Sequence, residues 1–411
     1  MTSESFVWVW LPGAEEPVPA GVARQEGPIV RFAYGDRYRR RPDAIPLYHA
    51  ELPLAEGFAD PPAGLEVAGC LDDAGPDSWG QRVILNRLAG RGADAGDLTK
   101  LTYLAEAGSD RIGALDFQPS PREYVERGSA NATLEDLLVM TARIEAGEEV
   151  PAELDQALRA GSSVGGARPK ALLRDGERHL IAKFSSLTDR WPIVRAEFVA
   201  MRMARRCGLD TAAVQLTEAD GRDVLLVERF DRVPGTRQRR LVLSALTLLG
   251  LPETSPQLAA YGDLSELVRR RFSEPRATRR ELFSRMVFNV LCGNTDDHAR
   301  NHAAFWDGRE LTLTPAYDIC PYLRAGGEAT QAMRLGLGDD PYRLSNVGGC
   351  VERAALFGLT RDEAQEIVER QRETIDAGWD EVCDEAGLTA AQRDAIRRVF
   401  PHEYALYDLA V

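Results

Sequence analysis

The sequence Leu291-Cys-Gly-Asn-Thr-Asp-Asp-His-Ala-Arg-Asn-His302 places many polar side chains directly after an apolar segment. The apolar run at 282–291 predicts a buried helix, which the glycine at 293 would end. Polar groups delivered to the end of a buried helix are costly unless they are hydrogen-bonded or have a function. Within the stretch, Asp296 and Asn301 are five residues apart, a spacing that needs an explanation.

A further acidic residue, Asp318, follows Asn301 in the sequence Leu313-Thr-Pro-Ala-Tyr-Asp-Ile319. An Asp, an Asn five residues later and another Asp after a short strand pair form the layout of a kinase catalytic loop with its metal-binding Asp. Asp296 is therefore our candidate for the base that receives a hydroxyl proton. Asn301 and Asp318 supply oxygen ligands of the kind that Mg²⁺ prefers.

The two histidines of the same stretch permit a second interpretation, a zinc site formed with one of the neighbouring aspartates. His298 and His302 are predicted to lie on a loop, without the glutamate of a metalloprotease motif and without an obvious third soft ligand. We therefore expect Asp297, His298 and His302 to brace the loop by hydrogen bonds.

Lysine is rare in this chain. Of 50 basic residues, only Lys100, Lys170 and Lys183 are lysines, and the other 47 are arginines. A lysine kept against such a bias suggests a need for a compact point charge. Lys183 ends an apolar strand, where its partner is either a phosphate or Glu197 of the next predicted helix, and the two are compatible. Lys170 follows a glycine-rich stretch and is equally compatible with an exposed position at a strand edge.

The glycine-rich stretch Gly161-Ser-Ser-Val-Gly-Gly-Ala-Arg-Pro-Lys170 leads into a predicted hairpin, with a strand at 170–173, a turn at 175–176 and a strand at 179–184. This order is typical of a phosphate-covering hairpin, although most glycine loops are ordinary turns. It lacks the helix and the GK[ST] ending of a Walker A loop. Glu228 and Phe230 end a later strand, where the backbone could pair with an adenine edge or simply leave the sheet.

Composition limits the class of protein. The chain has 411 residues and a net charge of −14. Its six cysteines are scattered and form no CxxC pair, which indicates reduced thiols in a cytoplasmic protein. The acidic balance disfavours indiscriminate binding of nucleic acid. We expect no signal peptide and no membrane association, since no apolar run approaches about 18 residues.

The order of predicted elements indicates an α+β, bilobal protein-kinase-like fold with a cleft between the lobes. Short strands are predicted at 6–10 and 29–34, and helices dominate from Ser265 onward, including two that begin with capping boxes at Thr360 and Thr389. We divide the chain into an N-terminal subdomain of the N-lobe, a nucleotide-binding N-lobe core and a helical C-lobe, at 1–122, 123–235 and 236–411.

Taken together, these motifs resemble the HipA-type serine/threonine kinase toxins of bacterial toxin–antitoxin modules, over most of the chain. The segments that carry the resemblance are Glu51-Leu-Pro-Leu54, Gly75-Pro-Asp-Ser-Trp-Gly-Gln-Arg82, Asp110-Arg-Ile-Gly-Ala-Leu-Asp-Phe117, Ser163-Val-Gly-Gly-Ala-Arg-Pro-Lys170, Ile181-Ala-Lys-Phe184, Val227-Glu-Arg-Phe-Asp-Arg232, Gly293-Asn-Thr-Asp-Asp-His-Ala-Arg-Asn301 and Pro315-Ala-Tyr-Asp-Ile319. The last two are the most specific.

The resemblance implies an ATP- and Mg²⁺-dependent kinase. Asp296 would be the catalytic base, and Asn301 and Asp318 would bind the metal ion. The residues implied in nucleotide binding are Ser163, Val164, Gly165, Gly166, Lys170, Lys183, Glu228, Phe230 and His298. The family phosphorylates a serine of its own phosphate loop, which shuts the enzyme off, and Ser163, with Ser162 beside it, is the matching position.

The resemblance also implies partners: a small HipB-like helix-turn-helix antitoxin that binds DNA, and a protein substrate such as an aminoacyl-tRNA synthetase. Two departures from the family pattern, Arg168-Pro169 before Lys170 and the residues Asp297 and Arg300 in the catalytic loop, are expected to alter substrate choice without abolishing catalysis.

Two other functions remain open at this stage. One is a catalytically weak kinase-fold protein that acts mainly as a co-repressor with its antitoxin, which the intact set of acids disfavours. The other is a small-molecule phosphotransferase of the aminoglycoside type, which the long N-terminal region fits less well.

Overall fold

The chain forms two compact units, and each unit is built from three separate segments of the sequence. The structure, a computed structural model, describes residues 3–89, 98–128, 133–151, 154, 162, 168–186, 189, 191–323 and 327–407. Unit 1 comprises Met1–Thr188, Thr217–Leu243 and Phe305–Arg309, and unit 2 comprises Asp189–Leu216, Ser244–Ala304 and Glu310–Val411. The three-part division predicted from the sequence stays a prediction.

Strands dominate the first half of the chain and helices the second half. The strands are β1 (Glu4–Val9), β2 (Val18–Glu26), β3 (Ile29–Tyr34), β4 (Phe58–Ala59), β5 (Leu115–Gln118), β6 (Lys170–Asp175), β7 (Arg178–Phe184), β8 (Val214–Ala219), β9 (Arg222–Glu228), β10 (Leu241–Ser244), β11 (Ala303–Trp306) and β12 (Leu311–Leu313). The helices are α1 (Asp36–Arg39), α2 (Gly69–Asp72), α3 (Ser78–Ala89), α4 (Lys100–Glu106), α5 (Leu134–Glu145), α6 (Ile193–Arg206), α7 (Ala245–Leu248), α8 (Tyr261–Arg271), α9 (Pro275–Cys292), α10 (Val347–Glu352), α11 (Arg361–Glu385) and α12 (Ala390–Arg397).

Unit 1 contains two antiparallel sheets. The first has the strand order β4-β3-β2-β1-β5, so that the early strands form a meander and β5 returns beside β1. The second has the order β6-β7-β9-β8. One face of this second sheet packs on α3 and α5 through a buried core, in which Trp79, Leu137 and Met140 meet Ala182 and Phe184. Successive side chains of a strand point to opposite faces of the sheet, so the residues of β6 and β7 that lie between these core residues project from the other face.

In unit 2, helix α9 determines where the polar stretch 293–302 begins. Every residue from Leu282 to Cys292 is buried, which confirms the predicted buried helix. Gly293 ends it in the left-handed conformation, with φ 73°. A Cβ atom at this glycine would lie 2.5 Å from the carbonyl oxygen of Val399. Glycine is therefore required both by the backbone conformation and by the neighbouring chain.

The two capping boxes predicted from the sequence are confirmed in unit 2. Thr360 and Thr389 each close a capping box at the start of α11 and α12, with Glu363 and Gln392 as the reciprocal partners. The six cysteines of the two units are all buried, and none forms a disulfide bond. Among the described residues, no helix has both the length and the apolar content that a membrane crossing needs.

A buried ionic cluster in unit 1 joins the turn before β5 to the segment after β9. The carboxylate of Asp231, 1% exposed, accepts hydrogen bonds from Arg229 (2.8 Å), Arg232 (2.7 Å) and the backbone N–H of Gly113 (2.7 Å). The same two arginines donate to Asp110, at 2.8 and 2.7 Å. Burial alone would raise the pKa of Asp231, but the two guanidinium groups outweigh it and lower this pKa to about 2.

The substitution Asp231→Asn keeps the side-chain volume but removes the charge that Arg229 and Arg232 share. Breaking a buried ion pair on one side costs about 3–5 kcal/mol, because the remaining charges stay buried without compensation. We expect a loss of this size in the free energy of unfolding, measured by urea denaturation at pH 7. Glu4→Gln, which breaks the exposed pair with Arg24, is the matched control and should change it by no more than about 1 kcal/mol.

The acid dependence of unfolding gives a second readout of the same cluster. The folded-state pKa of Asp231 lies below its ordinary value of 3.8, so its contribution is present above pH 4 and is lost as the pH falls towards 2. The wild-type protein should therefore lose more stability between pH 4 and 2 than Asp231→Asn does. Equal losses would contradict the assigned role of the carboxylate.

Candidate functional site

Unit 1 places two of the three lysines directly opposite each other. Lys170 at the start of β6 pairs with Lys183 near the end of β7, in a register fixed by the two-residue turn between these strands. Directly opposed residues of an antiparallel pair project from the same face of the sheet. Ala182 and Phe184 face the α3–α5 core, so the two lysines share the other face. This arrangement concentrates positive charge at one place, as the binding of a polyphosphate requires.

The end of β9 carries the two residues predicted to mark the adenine position. Glu228 pairs with Leu180 across the sheet and lies 3.8 Å from a guanidinium nitrogen of Arg178. Phe230 makes an edge-to-face contact with Phe305, with ring centroids 5.8 Å apart. Glu228 and Phe230 are both half-buried, so part of each side chain is accessible to solvent.

In unit 2, the loop after α9 brings Asp296 and Asn301 together, as their spacing predicted. Asp296 is exposed and Asn301 is buried in the turn Ala299–Asn301. The side-chain amide of Asn301 donates to the backbone carbonyl of Asp296 at 3.4 Å. One exposed carboxylate and one hydrogen-bonded amide therefore lie in the same short loop.

Asp318 has a backbone conformation that is rare for a residue with a side chain. Its φ is +58°, in the left-handed region. Such strain persists where the surroundings hold it in place, and it is frequent at functional sites. The strain indicates that the surrounding fold holds the backbone of Asp318 in this conformation.

Tyr322 is a residue of this site that the sequence analysis missed. Its hydroxyl donates to Oδ2 of Asp296 at 3.3 Å. Burial raises the pKa of Tyr322 strongly, and the negative charges of Asp296, Asp318 and Glu197 raise it further. The phenol therefore stays a neutral hydrogen-bond donor to Asp296. The only sequence signal is an aromatic residue four positions after Asp318, and that spacing does not reveal the contact.

A buried hydrogen-bond network supports the loop that carries Asp296. The carboxylate of Asp297 accepts a hydrogen bond from the hydroxyl of Tyr261. Its other oxygen, Oδ1, lies 3.0 Å from Nε2 of His302. Asn289 of α9 donates to the same tyrosine hydroxyl at 3.3 Å, and all four side chains are buried. Asp297 and His302 therefore brace the loop, as expected.

His298 differs from these bracing residues. It is half-buried, and its Nδ1 atom has no hydrogen-bond partner among the described residues. We expected His298 to brace the loop by hydrogen bonds, and no such bond is made by its Nδ1 atom among the described residues. Its role in nucleotide binding stays a prediction.

The predicted phosphate loop lies mostly outside the described residues. Ser163, Val164, Gly165 and Gly166 fall in that part of the chain. Ser162 is described and is fully buried; its hydroxyl accepts a hydrogen bond from the backbone N–H of Gly108 at 3.2 Å.

The predicted metal ligands are oxygen donors of the correct chemical type. Asn301 and Asp318 offer an amide and a carboxylate oxygen, which suit a hard divalent cation better than a soft one. In the described part of the chain, no three or more His, Cys, Asp or Glu side chains come together as a set that could hold a metal ion.

Comparison with known proteins assigns a class to this fold and site. A family model described as the HipA N-terminal domain matches residues 9–118, and one described as the HipA-like C-terminal domain matches residues 162–379, more than half of the chain. The site and fold therefore define a kinase-like protein with an additional N-terminal domain. The chain belongs to the HipA family.

Individual relatives agree with this assignment. A Sinorhizobium fredii protein with a provisional kinase name, Y4mE, is 28% identical over 310 residues, which are 71% of each chain. The serine/threonine-protein kinase toxin HipA of Shewanella oneidensis is 28% identical over 241 residues, 52% of this chain and 54% of the relative. The S. oneidensis HipA chain, solved with HipB and operator DNA, superposes with a TM-score of 0.69 at 21% identity over 95% of both chains. This structural match confirms the predicted α+β, kinase-like fold.

The left-handed conformation of Asp318 gives a testable consequence. Asp318→Gly and Asp318→Ala both remove the carboxylate, but only glycine adopts positive φ without steric penalty. We expect the glycine variant to be the more stable of the two by about 1 kcal/mol in urea unfolding. At Asp362, in the first turn of α11, the order should reverse, because alanine favours a helix. A more stable alanine variant at position 318 would contradict the assigned backbone conformation.

Proposed function

We propose that this protein is an ATP- and Mg²⁺-dependent serine/threonine protein kinase and the toxin of a toxin–antitoxin module. The main support is the arrangement in unit 2, where the side-chain amide of Asn301 donates to the backbone carbonyl of Asp296 and the hydroxyl of Tyr322 donates to the Asp296 carboxylate. The lysine pair of unit 1 supplies the cations that phosphoryl transfer also needs. Each component is common alone, and the complete set in one chain of the HipA family favours this function.

Each residue has a defined part in the proposed reaction. The hydroxyl oxygen of the acceptor forms a bond to the γ-phosphorus of ATP, the bond from that phosphorus to the leaving ADP oxygen breaks, and the hydroxyl proton passes to Asp296. Lys170 and Lys183 would neutralise phosphate charge. Asn301 and Asp318 would hold Mg²⁺, which supplies charge neutralisation at the phosphate oxygens when bound. Tyr322 would orient the Asp296 carboxylate through Oδ2, leaving Oδ1 for the proton.

Ser163 is the proposed site of self-phosphorylation. The neighbouring Ser162 is fully buried and its hydroxyl is engaged with Gly108, which leaves Ser163 as the better acceptor. A phosphate there would add a charge of about −2 next to Gly165 and Gly166 in the sequence and repel the phosphates of ATP. Self-phosphorylation would thereby switch the kinase off.

The proposed partners follow from the family and from charge. The structural relative is solved with HipB and operator DNA, which supports a HipB-like helix-turn-helix antitoxin as partner here. With a net charge of −14, this chain would contact DNA mainly through such a partner. The substrate would be a cytoplasmic protein, for which an aminoacyl-tRNA synthetase is the candidate.

Removal of the proposed base should abolish the reaction. Purified wild-type protein incubated with Mg²⁺ and γ-labelled ATP should label itself, and Asp296→Asn should lower the rate by about 100-fold or more, since no group then receives the hydroxyl proton. Asp339→Asn, at an exposed position of the same unit, is the matched control and should retain the wild-type rate. Equal labelling by Asp296→Asn would refute the assignment.

The acceptor serine can be identified directly. After incubation with ATP, fragment-ion mass spectrometry should find phosphate on Ser163 and none on Ser162, because the Ser162 hydroxyl is buried and hydrogen-bonded. Phosphate found on Ser162 would show that the assignment of the two serines is reversed.

A further inference from the structure

Two residues that flank the glycine-rich stretch are held by the N-terminal region of the chain. On one side, the indole Nε1 of Trp79 in α3 donates to the backbone carbonyl of Lys170 at 2.9 Å. On the other side, the backbone N–H of Gly108 donates to the hydroxyl of Ser162 at 3.2 Å. The stretch between Ser162 and Lys170 thus has both ends fastened by hydrogen bonds from residues that precede it by 54 to 91 positions.

Helix α3 also packs tightly against Ser162. A Cβ atom at Gly80 would lie 2.7 Å from the Ser162 carbonyl oxygen and 2.7 Å from Cβ of Pro76. A real Cβ does not come so close to a backbone oxygen, so only glycine lets the helix approach this carbonyl. The sequence Gly75-Pro-Asp-Ser-Trp-Gly80 therefore supplies a donor for one end of the stretch and a contact surface for the other.

These contacts are deeply buried. Trp79 and Ser162 are 0% exposed and Lys170 is 6% exposed. The indole ring is part of the core that α3 and α5 form with the second sheet, together with Leu137 and Phe184. Hydrogen bonds in such surroundings are shielded from competing water, and the packed core restricts the donor to one position.

We propose that Trp79, Gly80 and Gly108 position the nucleotide-binding residues, and so form an anchor that ATP binding requires. This inference rests on the proposed kinase function. Trp79 fixes the backbone of Lys170, whose side chain shares a face with Lys183. Gly108 and Gly80 fix Ser162, at the other end of a stretch that contains Gly165 and Gly166.

Preorganisation explains why such an anchor matters. Groups that are held in place before a ligand arrives lose less conformational freedom when it binds. The buried contacts hold the backbone of Lys170 and the side chain of Ser162 in this way. Trp79, Gly80 and Gly108 are therefore positioning residues.

The decisive variant is Trp79→Phe, which keeps an aromatic ring and removes the Nε1 donor. We expect the dissociation constant for MgATP, measured by isothermal titration calorimetry, to rise about three- to ten-fold, the loss of one buried hydrogen bond. The rate of self-labelling at saturating ATP should stay within about two-fold of the wild type. This split between affinity and rate would not result from a general loss of stability.

Trp8→Phe is the matched control. The Nε1 atom of Trp8 is also a donor to a backbone carbonyl, that of Ser120 at 3.0 Å, and the residue is 6% exposed. It lies on β1, in the other sheet of the same unit. Both variants should lower the melting temperature, and only Trp79→Phe should weaken MgATP binding.

Ser162→Ala provides a milder second variant in case Trp79→Phe fails to fold. It removes the acceptor for Gly108 and should weaken MgATP binding by a similar factor. Its control is Ser5→Ala, at a buried serine whose hydroxyl donates to the carbonyl of Gln118 at 3.2 Å. Wild-type affinity in folded Trp79→Phe and Ser162→Ala would overturn the anchor and leave the kinase function standing. Absence of MgATP binding by the wild-type protein would overturn both.

Discussion

The structure of unit 1 depends on one buried carboxylate and the two arginines that share it. Asp231, Arg229 and Arg232 carry a net positive charge, and Asp110, from a segment more than a hundred residues earlier, restores neutrality. The HipA N-terminal match ends at residue 118 and the C-terminal match begins at 162, so each supplies part of the cluster. Since isolated charges are expensive to bury, neither part could bury its share of these charges without the other.

The ionic cluster is one of several contacts by which the N-terminal region holds residues of the proposed kinase site in place. The ionic cluster fastens the turn before β5 to the segment that follows Glu228, while Trp79 and Gly108 fasten the two sides of the glycine-rich stretch. In unit 2, a comparable role belongs to the buried group around Asp297, which holds the turn that carries Asp296. In both units, residues of the proposed site are held in place by buried polar groups, some of whose partners lie far away in the sequence.

Local patterns in the sequence predicted local structure well. The helix before Gly293, the hairpin after the glycine-rich stretch and the capping boxes at Thr360 and Thr389 all depend on residues within a few positions of one another. Strand β2 was not predicted, because Pro19 and Gly21 read as turn residues. In the sheet, a Cβ at Gly21 would lie 2.1 Å from the carbonyl oxygen of Ala33 and 2.7 Å from the ring of Phe32, so this glycine serves close strand packing.

The sequence predicted which residues belong to the candidate site better than it predicted the contacts between them. Residue type and spacing identified Asp296 and Asn301 without reference to the fold, because they lie five residues apart in one loop. The bond from Tyr322 to Asp296 joins residues 26 positions apart, and the Trp79–Lys170 bond spans 91; neither follows from a local pattern. The register of Lys170 opposite Lys183 could have been inferred from the turn alone, since hairpin loop length fixes pairing.

The scarcity of lysine has a practical consequence for protein chemistry. Of only three side-chain amines in 411 residues, two lie directly opposite each other on β6 and β7, so chemical modification of lysine in this chain has three side chains to report on, two of them at the proposed phosphate site.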